Sequence, residues 1–169
     1  PVEAVDYSLD GRYFVTGDWD GKARLWDAET GETRQTISHG QYVHAVAFDR
    51  AGEHFATGSS DRTIRIYKVG NGKLLQTLKG HEDAVLSVRY SSDGKRLLSC
   101  GNDNSVRIWD VASGQVIQTL VGHTWWVWAA EFSPDDQRIV SASQDGKAIV
   151  WELKVDGDQQ RYEKLTEFT

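Results

Sequence analysis

Short stretches in which apolar and polar residues alternate run the length of the chain: KARLWD at 22–27, TIRIYK at 63–68, SVRIWD at 105–110 and KAIVWE at 147–152. A period of two puts alternate side chains on opposite faces, so each stretch predicts a strand, and the 3.6-residue period of an amphipathic helix is absent. That excludes folds in which strands alternate with helices. The stretches also share one phase. Their aromatic residues, Trp26, Tyr67, Trp109 and Trp151, stand 41, 42 and 42 residues apart. Six positions before each lies an aspartate, Asp20, Asp61, Asp103 or Asp145, in a turn sequence (WDG, SDR, NDN, QDG) suited to a tight hairpin. Four positions earlier again comes a hydroxyl, Thr16, Thr57, Ser99 or Ser141, and His39, His81 and His123 precede the last three of these by 18 residues.

Each repeat reads as four short strands. In the third they are AVLSVRY at 84–90, KRLLSC at 95–100, SVRIWD at 105–110 and QVIQTL at 115–120, separated by the turns SSDG, GNDN and VASG. A four-stranded sheet with two apolar faces cannot hide both by itself. Stacking such sheets face to face around an axis covers the faces and leaves only short edges. The expectation is an all-β propeller of four-stranded antiparallel blades, four in this chain: blade one at 1–38, blade two at 39–80, blade three at 81–122 and blade four at 123–169.

Over nearly its whole length the chain resembles the WD-repeat β-propeller family. The resemblance is carried by Trp-Asp at 26–27 and 109–110, Gly-His at 80–81 and 122–123, and the constant spacing of histidine, hydroxyl, aspartate and tryptophan. It implies a hydrogen-bonded chain inside each blade, in which the indole N–H meets the hydroxyl, the hydroxyl meets the imidazole and the turn aspartate orients the ring. Those roles fall to His81, Ser99, Asp103 and Trp109, and to His123, Ser141, Asp145 and Trp151. Blade two offers His39, Thr57, Asp61 and Tyr67, with a phenol O–H replacing the indole donor, and blade one keeps Thr16, Asp20 and Trp26. The resemblance further implies that the third and fifth residues after the histidine, with the residue before the turn aspartate, surround the mouth of the central channel. Those are Tyr42, His44 and Ser60, then Ala84, Leu86 and Asn102, then Trp126, Trp128 and Gln144, with Trp19 and Glu3 from blade one.

Aromatic residues gather at that end, most densely in Trp125-Trp126-Val127-Trp128. Large rigid rings dominate the energetics of interfaces, so the expected function is a non-catalytic scaffold that binds a protein or peptide. Its expected contact residues are Trp19, Tyr42, His44, Leu86, Asn102, Trp126, Trp128 and Gln144. Two other readings stand beside it: a purely structural self-assembling fragment, and a hydrolase or small-molecule site at the channel mouth built on Glu3 and His44. The Ser/Thr, His and Asp sets recur in every repeat, which marks them as structural, whereas an active site is normally single.

Composition narrows the partners. The 169 residues hold 19 Lys plus Arg against 25 Asp plus Glu, a net charge of −6, and no basic footprint for nucleic acid. No apolar run approaches the roughly 20 residues of a membrane-spanning helix, and the single Cys100 cannot form an intrachain disulfide. The expectation is a soluble, cytoplasmic protein. GNGK at 70–73 lacks the spacing of a phosphate loop, and His44 and His54 have no cysteine or carboxylate cluster beside them, so neither a cofactor nor a metal is expected. The chain contains no methionine and its ends fall at repeat boundaries, which suggests a segment of a longer array. Four blades alone would leave two sheet faces open, so self-association is expected, two copies completing an eight-bladed ring; closure of four blades alone is the competing possibility. KVDGDQQ at 154–160 reads as a longer acidic loop, and the charged strand RYEKLTEF at 161–168 as protection of an outer edge.

Overall fold

A computed structural model of the chain describes residues 1–157 and 159–169, and every regular element among them is a strand. The first sheet holds β1 (Val2–Tyr7), β2 (Tyr13–Asp18), β3 (Lys22–Asp27) and β4 (Thr33–Ser38), and the second β5 (Val43–Phe48), β6 (His54–Ser59), β7 (Thr63–Lys68) and β8 (Leu74–Lys79). The third holds β9 (Val85–Tyr90), β10 (Arg96–Gly101), β11 (Ser105–Asp110) and β12 (Val116–Val121), and the fourth β13 (Val127–Phe132), β14 (Arg138–Ser143), β15 (Ala148–Asp156) and β16 (Gln159–Phe168). Strands pair antiparallel in chain order within each sheet, and the four sheets are four propeller blades. The innermost strands β1, β5, β9 and β13 follow one another around the axis.

The turn between the second and third strands of each blade needs one left-handed residue, the one after the aspartate: Gly21 (φ 77°), Arg62 (69°), Asn104 (64°) and Gly146 (81°). Glycine and asparagine adopt this conformation readily, and Arg62 does so at a cost of about 1 kcal/mol. Each innermost strand also carries an irregularity near this end. Pairing skips one residue between Val2 and Ala4, Val43 and Ala45, Val85 and Ser87, and Val127 and Ala129. The skipped residues are Glu3, His44, Leu86 and Trp128. Such bulges re-aim a side chain out of the regular pleat.

Three apolar clusters make the core, and each lies between two blades. Val15, Ala23 and Leu25 of the first meet Val43, Val46, Phe55 and Tyr67 of the second. Ala56, Ile64 and Ile66 meet Val85, Val88, Leu97 and Trp109. Leu98, Cys100, Val106 and Ile108 meet Val127, Ala130, Ile139 and Trp151. The backbones approach closely at these boundaries: a Cβ on Gly17 would lie 2.8 Å from a Val43 methyl carbon, and one on Gly58 2.9 Å from a Val85 methyl carbon. The two end faces have no such cover. Val43, Val85 and Val127 are fully buried, while their blade-one counterpart Val2 is 65% exposed; Leu98 is 1% exposed and its blade-four counterpart Val140 45%. The four blades form an open arc.

The segment 154–160 differs from its reading as a loop. β15 and β16 continue to pair through Leu153↔Tyr162, Lys154↔Arg161, Val155↔Gln160 and Asp156↔Gln159, so the acidic stretch is a long hairpin, with Asp158 outside the described residues. Tyr162 explains the extension. Its ring is buried, its hydroxyl donates to the Asp136 carbonyl at 2.5 Å and accepts from Arg96 at 3.0 Å, and its backbone N–H donates to Gln118 Oε1 at 2.8 Å. One aromatic anchor thus fixes β16 to blade three.

A core that lives between blades makes a specific prediction. Leu98→Ala, which opens a cavity at the boundary of blades three and four, should lower the unfolding free energy by about 2–5 kcal/mol. Val140→Ala, its equally apolar counterpart on an open face, should change it by less than about 1 kcal/mol. Urea unfolding followed by tryptophan fluorescence measures both.

Candidate functional site

The loops at one end of the blades are held by buried polar chains. In blade three, Trp109 Nε1–H donates to Ser99 Oγ at 2.8 Å, Ser99 lies 2.7 Å from His81 Nε2, and His81 Nδ1 lies 2.8 Å from Asp103. Because the hydroxyl accepts from the indole, its single proton goes to Nε2, which leaves the imidazole proton on Nδ1 pointing at the carboxylate. Blade four repeats the arrangement through Trp151, Ser141, His123 and Asp145 at 3.0, 2.8 and 3.0 Å. The aspartate also collects backbone donors, Glu82 N–H at 3.1 Å for Asp103 and Thr124 N–H at 3.0 Å for Asp145. One carboxylate therefore ties the loop before the blade to the turn within it.

Blades one and two depart from this pattern. In blade two His39 bridges Thr57 at 2.7 Å and Asp61 at 3.0 Å, but Tyr67 does not join the chain. An indole carries its N–H on the flank of the ring and a phenol its O–H at the tip. Tyr67 fills the same slot by stacking on Phe55, centroids 5.3 Å apart, and Thr57 Oγ1 lies 3.3 Å from the Arg65 carbonyl oxygen instead. In blade one Trp26 donates to Thr16 at 3.0 Å, while Asp20 faces Lys22 and Arg24 at the surface. The buried acid there is Asp18, which pairs with Arg24 and accepts the Lys22 N–H at 3.0 Å. Nothing in the repeat pattern singles out Asp18, because it stands where the other blades carry Ser59, Gly101 and Ser143.

These networks shift the titration of their members. Burial works against ionisation of Asp145, yet the Thr124 N–H, the His123 imidazole and the Lys147 N–H outweigh it and hold the carboxyl at about 2. Asp103 is held low in the same way. Burial of His39, together with the nearby Arg65 charge, depresses its imidazole pKa against the opposing pull of Asp61. Burial pushes the Cys100 thiol up, which makes it unreactive.

The residues expected at the channel mouth fall into two groups. In the first, Trp19 stacks on Tyr42 with centroids 5.6 Å apart, Tyr42 meets His44 edge-on at 6.1 Å, and Glu3 accepts from Trp19 Nε1–H while lying 3.0 Å from His44 Nδ1. His44 Nε2 lies 2.7 Å from Ser60 Oγ. In the second, Trp128 donates to Gln144 Oε1 at 3.0 Å and stands edge-on to Trp126 at 5.8 Å, which in turn meets Trp125 at 6.5 Å. Three of the four bulged residues are thereby tied to the residue before the turn aspartate: Glu3 to Trp19, His44 to Ser60, Trp128 to Gln144. Blade three breaks the series, since Leu86 has no polar atom and Asn102 Oδ1 is buried without a protein partner among the described residues. Trp19, Tyr42, Trp125, Trp126 and Trp128 are all exposed, so none of them fills a gap between blades.

Glu3, His44 and Ser60 form a carboxylate–imidazole–hydroxyl line of the kind that activates a serine. Acyl transfer also needs free backbone donors beside the nucleophile. Here Ser60 N–H is spent on the Tyr42 carbonyl at 2.9 Å and Asp61 N–H on Ser59 Oγ at 3.1 Å. The line holds the aromatic cluster in place. Among the described residues no group of three or more His, Cys, Asp or Glu side chains is arranged to hold a metal, and no helix is long and apolar enough to cross a membrane.

A family model described as "WD domain, G-beta repeat" matches residues 1–27, 31–68, 72–110 and 114–152. Among curated proteins, the chain is similar to the small ribosomal subunit protein RACK1 of Candida albicans, with 50% identity over 90 residues. That stretch is 53% of this chain and 28% of the relative, so the likeness covers under a third of the relative's length.

The depressed His39 pKa carries a pH prediction. Below about pH 6.5, the ordinary imidazole value, the unfolded chain binds a proton that folded His39 resists, so stability is fully present above that pH and is lost as pH falls through it. Urea midpoints should be lower at about pH 5.5 than at about pH 7.5, and the difference should shrink in His39→Asn; an unchanged difference contradicts the assignment.

Proposed function

The chain belongs to the WD-repeat family of β-propeller proteins, and from that membership we propose that it is a non-catalytic, cytoplasmic scaffold that presents its aromatic end to a protein or peptide. The observation that carries this reading is the exposure of five large aromatics at one end of the arc, Trp19, Tyr42, Trp125, Trp126 and Trp128. Exposed rings that are already fixed by hydrogen bonds and stacking lose little conformational freedom on binding, which suits an interface anchor. His44, Leu86, Asn102 and Gln144 lie among them and supply the polar and aliphatic rest of the surface. RACK1 is by its name a component of a ribosomal subunit, and by that likeness a partner within a larger assembly fits this chain. The reading includes self-association of the arc, two copies supplying eight blades.

A photo-crosslinking amino acid placed at Trp126 tests the site, with one at Leu75 on the outer strand β8 as the control. The Trp126 probe should trap a discrete partner, and Trp19→Ala with Trp128→Ala should reduce capture at least tenfold, since truncating an interface anchor costs about 2 kcal/mol or more. Capture equal at both probe positions, or unchanged by the double substitution, favours a purely structural role.

A further inference from the structure

The exposed aromatic residues differ in what they leave open. Trp19 and Tyr42 lie nearly parallel, with 22° between their planes and centroids 5.6 Å apart, so each covers a face of the other and nothing fits between them. Trp126 and Trp128 instead stand at 85° to one another, and Trp125 stands at 89° to Trp126. An edge-on contact covers only part of a ring, and Trp126 keeps 39% and Trp128 48% of its surface exposed. Two indoles at this angle make a corner with an aromatic wall on each side.

Donors and acceptors are unequal at this end of the blades. The backbone N–H groups of Ser60, Asn102 and Gln144 are taken by the carbonyls of Tyr42, Ala84 and Trp126, each at 2.9 Å. The indole N–H of Trp128 is taken by Gln144 Oε1 at 3.0 Å. An anion or a carbonyl group arriving at the corner finds none of these donors free. What the corner offers is the electron-rich face of each ring. Beside it, the blade-three residues equivalent to Thr124 and Trp125 are the acids Glu82 and Asp83, exposed and paired with no cation among the described residues. The residues expected at the channel mouth include one carboxylate, Glu3, and neither lysine nor arginine, and the whole chain carries a net charge of −6.

These features select a cation. A rounded head touches both walls of a corner at once, whereas a flat guanidinium stacks best on a single face or between parallel ones. We propose that Trp126 and Trp128 receive the ammonium head of a lysine side chain, methylated or not, from the bound protein or peptide, and that Glu82 and Asp83 attract its charge from the neighbouring blade. This rests on the reading of the aromatic end as a binding surface and names the chemistry that surface selects.

NMR titration of the purified chain, read at the indole resonances, tests the proposal. The probes are Nα-acetyl-lysine amide, its Nε-trimethyl form and the neutral tert-butyl isostere of that form. The trimethyl form should shift the Trp126 and Trp128 signals and bind at least fivefold more tightly than the isostere, a ratio equal to about 1 kcal/mol. Trp128→Leu should remove that ratio with circular dichroism unchanged, because the ring is exposed, and Trp19→Leu should leave it intact. Glu82→Gln with Asp83→Asn should weaken the cationic probes several-fold and the isostere not at all. An unmethylated probe that binds as tightly as the trimethyl form assigns ordinary lysine as the ligand, and a weaker one assigns methylated lysine. Equal binding of the trimethyl form and its isostere, or tighter binding of Nα-acetyl-arginine amide, overturns the proposal; capture of a partner by the Trp126 crosslinker would still leave the aromatic end a binding surface. A cation preference lost in Trp19→Leu and kept in Trp128→Leu overturns the corner. No captured partner and no shift with any probe overturns both readings.

Discussion

Both faces of every sheet in this chain are apolar, and a neighbouring sheet is what covers them. Burial is worth roughly 25 cal/mol for each Å² removed from water, and the three apolar clusters are placed accordingly, none of them within a single blade. The close approach at Gly17 and Gly58 follows from the same demand, since a side chain there would hold the sheets apart. So does the exposure of Val2 and Val140, which occupy the same two classes of position with no sister sheet opposite.

Packing between sheets sets where the blades stand; polar chemistry sets how their loops are held. His81–Asp103 and His123–Asp145 each join the loop entering a blade to the turn inside it, and the indole of Trp109 or Trp151 seals the hydroxyl end. On that fixed rim the innermost strand is bulged at one residue per blade. Three of the bulged residues, Glu3, His44 and Trp128, are tied to the residue before the turn aspartate. The aromatic end is thus a product of the fold's regular parts, decorated differently in each blade.

Much of this was legible in the sequence because the repeat is so regular. Alternation gave the strands and the constant spacing gave the number of sheets, while the residues that meet inside a blade followed from the resemblance to the WD-repeat family. Other features left no mark in the pattern. A bulge changes pairing without changing composition, so the skipped residues look like ordinary strand positions. Tyr67 kept the spacing but not the hydrogen bond, because spacing says nothing about which edge of a ring carries its donor. Asp18 is a buried acid paired with Arg24, at a position that is serine or glycine in the other blades. The acidic run near Asp156 looked like a loop, and the buried Tyr162 that makes it a hairpin acts through residues more than 25 positions away in sequence, such as Asp136.

If packing between sheets is what stabilises each blade, protection of the backbone should follow the number of neighbours rather than hydrogen bonding within the sheet. The middle strands are fully paired in all four blades, so amide hydrogen exchange separates the two causes. In the monomeric chain, exchange should be slowest in β6, β7, β10 and β11, which have a sheet on each side, and clearly faster in β2, β3, β14 and β15. Equal protection across the four blades, or slower exchange in the end blades than in the middle ones, would contradict the account.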